Sequence, residues 1–92
     1  MNNYQVNYGT LDDNEAVEPF DTFETQQAAF TAAELLSEKY PFVDVWKKTS
    51  RPNGTAYSEC ILSYEGDTLT EVVDGTEHIF EWNCEKMAYI EI

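Results

Sequence analysis

Glu71 and His78 fall on the two arms of a segment whose centre is Asp74-Gly75. An Asp-Gly pair suits a two-residue type I′ turn, because both central residues take positive φ. Pairing Val73 with Thr76 then sets Glu71 opposite His78 and Leu69 opposite Phe80, while Glu77 and Glu81 share the other face. A carboxylate beside an imidazole could do general acid–base chemistry. No motif brings a serine, a cysteine or a second histidine to the pair, so a cross-strand ion pair is expected. Catalysis is not expected, and no cofactor is called for.

The other reactive residue types lead to equally plain readings. Counted from Asp13, Glu15 and Glu24 fit positions three and twelve of a calcium loop, but Val17 replaces a ligand and Glu18 stands where glycine is needed. Cys60 and Cys84 lie in no Cys-x-x-Cys pattern, and His78 is the single histidine, so no zinc set is present. Without a secretion signal both thiols are expected to be reduced. Asn53-Gly54-Thr55 matches a glycosylation acceptor but reads as a hairpin turn. Lys47-Lys48-x-x-Arg51 is too small a cluster for a nucleic-acid surface and suits a strand edge, where lysine discourages pairing between sheets.

The carboxylates carry the strongest signal. The 92 residues hold 18 Asp and Glu against 5 Lys and Arg, a formal net charge of −13. Residues 1–38 carry −8 with no base, residues 39–51 carry +3, and residues 52–92 carry −8. Asp12, Asp13, Glu15, Glu18 and Asp21 lead into a helical stripe of Glu24, Gln27, Thr31, Glu34 and Glu38. Glu65, Asp67, Asp74, Glu77, Glu81 and Glu85 form a second group on turns and outward strand positions. Such acidity opposes direct binding to nucleic acid, whose affinity rests on cations meeting phosphates. It equally opposes an anionic membrane surface. No apolar run reaches the roughly 18 residues of a membrane-spanning helix, and the N-terminus lacks a signal-peptide pattern. A cytoplasmic address is expected.

Hydrophobic residues make up 42 % of the chain and aromatics 14 %, too apolar for a disordered segment. One domain over residues 1–92 is expected. Tyr4, Val6 and Tyr8 alternate as a half-buried strand does. The stretch from Gly9 to Pro19 reads as a loop. Asp21 and Glu24 suit a capping box for a helix running on through Leu36, with Phe23, Phe30, Ala33, Leu36 and Tyr40 toward the core and Pro41 ending it. Strands are expected over Phe42–Lys48, Ala56–Tyr64, Leu69–Val73 and Thr76–Trp82, with a further alternation at the C-terminus. On the second of these, Ala56, Ser58, Cys60, Leu62 and Tyr64 would share one side. The predicted class is α+β: one helix packed on a mostly antiparallel sheet in the order β-α-β-β-β-β, with a possible further C-terminal strand.

In size, in its −13 charge and in its carboxylate stripes, the chain resembles the small acidic inhibitors of phages and mobile elements. These include anti-CRISPR and anti-restriction proteins, several of them DNA mimics. The resemblance implies a non-enzymatic inhibitor that occupies the basic nucleic-acid channel of a host nuclease or CRISPR effector in the host cytoplasm. The carboxylate groups of this chain themselves supply the expected binding residues, Asp12, Asp13, Glu15, Glu18, Asp21, Glu24, Glu34, Glu38, Glu77 and Glu81, with exposed aromatics such as Tyr64 or Trp46 as anchors. An immunity protein or antitoxin against a basic toxin is the alternative, and acidity serving solubility alone is the plainest. Monomer and edge-paired dimer both remain open.

Overall fold

The computed structural model describes residues 2–9 and 17–92. Its elements are β1 (Asn2–Gly9), β2 (Val17–Phe23), α1 (Gln26–Ser37), β3 (Phe42–Ser50), β4 (Ala56–Glu65), β5 (Thr68–Val73), β6 (Thr76–Asn83) and β7 (Ala88–Glu91). The strands form one sheet, antiparallel at every pairing, in the order β2-β1-β3-β4-β5-β6-β7. Seven strands against a single helix of 12 residues make the described protein largely β, which corrects the α+β class expected from the sequence.

The correction begins at β2. The span read as the end of a loop and the start of a helix is instead an edge strand on β1. Val6 pairs with Asp21 and Asn7 with Pro19, so Phe20 is an extra residue that bulges from the ladder. A proline is tolerated there because an edge strand need not spend every N–H on a neighbour. The helix cap moves accordingly. Thr25, not Asp21, caps α1, its hydroxyl accepting from the Ala28 N–H at 3.2 Å. Asp21 accepts instead from the adjacent Thr22 N–H at 2.8 Å. The strand also occupies the second half of the span considered for calcium.

The core lies where α1 crosses the sheet. Val6, Val43 and Val45 are fully buried, as are Ala29 and Ala33 on the helix above them. Alanine's small side chain lets the helix axis approach the strands closely, and Phe23, Phe30, Leu36 and Tyr40 close the margins of the contact. Two side-chain rows run across this face. One reads Val6, Val45, Leu62, Glu71, His78, and the next reads Tyr8, Val43, Tyr64, Leu69, Phe80, Glu91. Beneath the helix the rows are apolar or aromatic; the first turns polar at Glu71 on β5 and the second only at Glu91 on β7.

A second bulge divides β4. Val45 pairs with Leu62 but Trp46 with Cys60, leaving Ile61 unopposed and 6 % exposed. Cys60 and Leu62, expected on one side, therefore face opposite sides. On the face away from α1 the side chain of Asp44 is buried yet satisfied. It accepts from Asn7 Nδ2 and Trp46 Nε1, each at 2.9 Å, and Asn7 in turn accepts from Gln5 Nε2 at 2.8 Å.

The Asp74-Gly75 turn takes positive φ at both residues, and β5 and β6 pair in the register read from the sequence. His78 sits opposite Glu71 as expected, but its ion partner is different. Its Nδ1 lies 2.8 Å from Glu91 Oε2 on β7, two strands away from the predicted arrangement with β5. Among the described residues no helix is long and apolar enough to cross a membrane.

Candidate functional site

A helix of 12 residues is about 18 Å long and roughly 10 Å wide, whereas seven strands spaced at about 4.8 Å span nearly 30 Å. The helix therefore covers only part of one face. It packs on β1, β3 and β2, and the strands from β4 to β7 extend beyond it. Where its flank meets that uncovered half, the surface is concave.

The corner holds a cleft of about 490 Å³. Glu34, Ser37 and Glu38 form the helix side, Gly66 and Asp67 the β4–β5 turn, and Tyr64, Trp82 and Tyr89 the sheet side, with Met87 and Ala88 at the end. A second groove of about 560 Å³ continues along α1 and shares Glu34 and Tyr64, adding Phe30, Leu62, Leu69 and Glu71. Neither hollow is lined by a lysine, arginine or histidine.

Local structure fixes each wall. Glu34 on α1 and Glu38 at its C-cap stand one turn apart, a like-charged i, i+4 pair that costs the helix about 0.2–0.5 kcal/mol. Gly66, at φ +59, turns the chain between β4 and β5 and donates its N–H to Pro41 O at 2.9 Å. The Trp82 N–H donates to Asp67 O at 2.8 Å, tying the turn to β6. Across the β6–β7 turn, Asn83 Oδ1 accepts from the N–H groups of Glu85 and Lys86, both at 3.0 Å. That turn returns Tyr89 beside Trp82, with ring centroids 5.1 Å apart at 70°. Tyr89 also meets Tyr64 edge-on at 5.9 Å and 64°.

The phenols report the local field. Burial, then the charges of Glu34, Tyr89 and Glu71, push Tyr64 up to about 12. Burial and the Asp67 carboxylate raise Tyr89. On the other sheet face, burial followed by Asp44 pushes the Cys60 thiol up to about 11. Cys60 and Cys84 are not bonded to each other.

Of the ten residues named from the sequence, the seven that are described do not form one surface. Glu34 and Glu38 are brought together in the cleft. Glu24 lies exposed in the bend before α1, and Glu18 and Asp21 lie on the edge strand β2, where Tyr8 donates to Glu18 Oε2 at 3.1 Å. Glu77 and Glu81 are exposed on the face away from the helix, in register with Val72 and Thr68. Asp12, Asp13 and Glu15 lie outside the described residues. The anchors also change. Tyr64 is buried at 8 % exposure, and Trp46 sits on the opposite face bonded to Asp44.

Asp67, Glu71, Trp82 and Tyr89 were missed as site residues. The hairpin register signalled Glu71 on the Leu69–Phe80 face, but the longer turn before Ala88 gives no sequence rule for setting Tyr89 beside Trp82. Among the described residues no three His, Cys, Asp or Glu side chains converge as a metal would require. The chain matches no known family model, no curated protein and no solved structure.

Proposed function

We propose that the chain is a non-enzymatic inhibitor that binds the basic nucleic-acid-binding surface of a nuclease or CRISPR effector in the cytoplasm of a host cell, as anti-CRISPR and anti-restriction DNA mimics do. One observation carries this reading. Among the described residues the sole ion pair within 4.0 Å is His78–Glu91, so no carboxylate is neutralised by a lysine or arginine. Arg51 lies instead over the Tyr57 ring at 4.9 Å. Among the described residues, exposed carboxylates lie on both sheet faces and along the helix, where cations from outside can meet them.

Magnitude limits the imitation. A duplex as long as the molecule's 49 Å axis carries about 29 phosphate charges at one per 1.7 Å. The chain has 18 carboxylates in all. At that spacing 18 charges match about 31 Å of duplex, so the chain can replace about one helical turn's worth of contacts, not a whole wrapped duplex.

A second reading, an immunity protein or antitoxin against a basic toxin, draws on the cleft, since a shaped hollow suits one cognate side chain. Affinity capture on the immobilised chain, eluted with a salt gradient and identified by mass spectrometry, tests both. Proteins with basic nucleic-acid-binding surfaces should elute as salt rises. Recovery of none would overturn the proposal.

A further inference from the structure

The cleft between α1 and the β6–β7 hairpin has a chemistry that general acidity does not require. We propose that it seats the guanidinium of an arginine side chain from the bound partner. The inference rests on the reading that the partner is a basic protein, and it names the group that the site takes.

Three features converge. Trp82, Tyr89 and Tyr64 meet at 70° and 64°, so their ring faces stand nearly at right angles and can bound a cation on two sides. Glu34 and Glu38 on the helix and Asp67 on the facing turn supply carboxylates at the rim. The third feature is independent of charge. Tyr64 is 8 % exposed and lines both hollows, and its hydroxyl makes no hydrogen bond among the described residues and is not closed off from the cleft. A phenol oxygen open to a cleft can accept a hydrogen bond from a bound donor. A guanidinium N–H would supply that donor.

Arginine fits better than the other cations. Its planar fork presents five donors, stacks on aromatic rings and is more weakly hydrated than an ammonium. Lysine would bring a compact, strongly hydrated charge that meets the rings at a higher cost in lost hydration and lacks a planar fork to bridge two carboxylates. A metal ion would need convergent ligands, and among the described residues no three His, Cys, Asp or Glu side chains converge, while the aromatic wall offers no lone-pair ligand set.

The test uses the two indole N–H signals of the ¹⁵N-labelled chain. Trp82 lies in the cleft, while Trp46 is held by Asp44 on the other face and serves as an internal reference. The chain is titrated with acetyl-Gly-Arg-Gly-amide and with the matching lysine and citrulline peptides. The arginine peptide should shift Trp82 saturably and leave Trp46 in place, with the lysine peptide weaker and the citrulline peptide silent. The Glu34→Gln, Glu38→Gln double variant should weaken the arginine response about tenfold, about 1.4 kcal/mol. Glu59→Gln, Asp74→Asn, equal in charge loss and exposed away from the cleft, should leave it unchanged, and the backbone amide spectrum of each variant reports its fold. Equal shifts at both indoles, equal response to citrulline, or no shift at Trp82 would overturn the proposal. Polylysine separates the two levels of the argument. Salt-sensitive binding of polylysine without an arginine response sinks the cleft assignment alone, whereas loss of both sinks the basic-partner reading as well.

Discussion

At Tyr64 one residue joins the core to the candidate site. Its ring belongs to the buried cluster beside Val43, and its hydroxyl edge faces the carboxylates of α1 and β5. The sign of its pH dependence follows. Its folded pKa, about 12, lies above the ordinary 10.0, so the folded state keeps a proton that the unfolded chain loses. Stability contributed by the neutral phenol is present below pH 10 and is lost as pH rises toward 12. Tyr64→Phe should remove this alkaline loss, so its urea midpoint should fall less than that of the parent between pH 10 and 12. An equal fall in both proteins would show that the phenol does not sense that environment. His78 shows how a residue's role can be half legible: strand register predicted its neighbour Glu71, but not the Glu91 carboxylate that β7 brings to it.

Among the elements, α1 decides both what is covered and what is left open. Ala29 and Ala33 meet the sheet with no exposed surface, so there is no space for a larger side chain. Ala33→Leu should cost about 1–3 kcal/mol through overpacking, read as a lower denaturation midpoint. Leu35, 60 % exposed on the outer side, should tolerate Leu35→Gln within about 0.5 kcal/mol. Legibility differed among elements for physical reasons. The β5–β6 hairpin was readable because Asp-Gly dictates its turn and the turn dictates its register. β2 was not, since the Phe20 bulge and Pro19 break alternation, while Phe20 and Phe23 at a three-residue spacing imitate a helix. The Ile61 bulge likewise reversed the faces of Cys60 and Leu62. In the candidate site, Glu34 and Glu38 were visible from helical spacing. The aromatic wall depended on a β6–β7 turn whose length carries no rule.

For the molecule as a whole, unneutralised charge sets two opposite responses to salt. Like charges on a compact body of net charge −13 repel, and the sequence offers few internal cations to relieve them. Screening should therefore stabilise the fold, raising Tm between low salt and about 0.5 M, where the Debye length is only a few ångströms. A falling Tm would mean that attractive pairs dominate. The same screening should weaken association with a basic partner, so stability and binding should move in opposite directions over one salt series. If this acidic surface binds as proposed, it competes with nucleic acid for the captured partner. Duplex DNA titrated into the complex at fixed ionic strength should displace the chain fully, with the displacing concentration rising in proportion to the chain added. A complex that persists at saturating DNA, with both bound at once, would contradict the account.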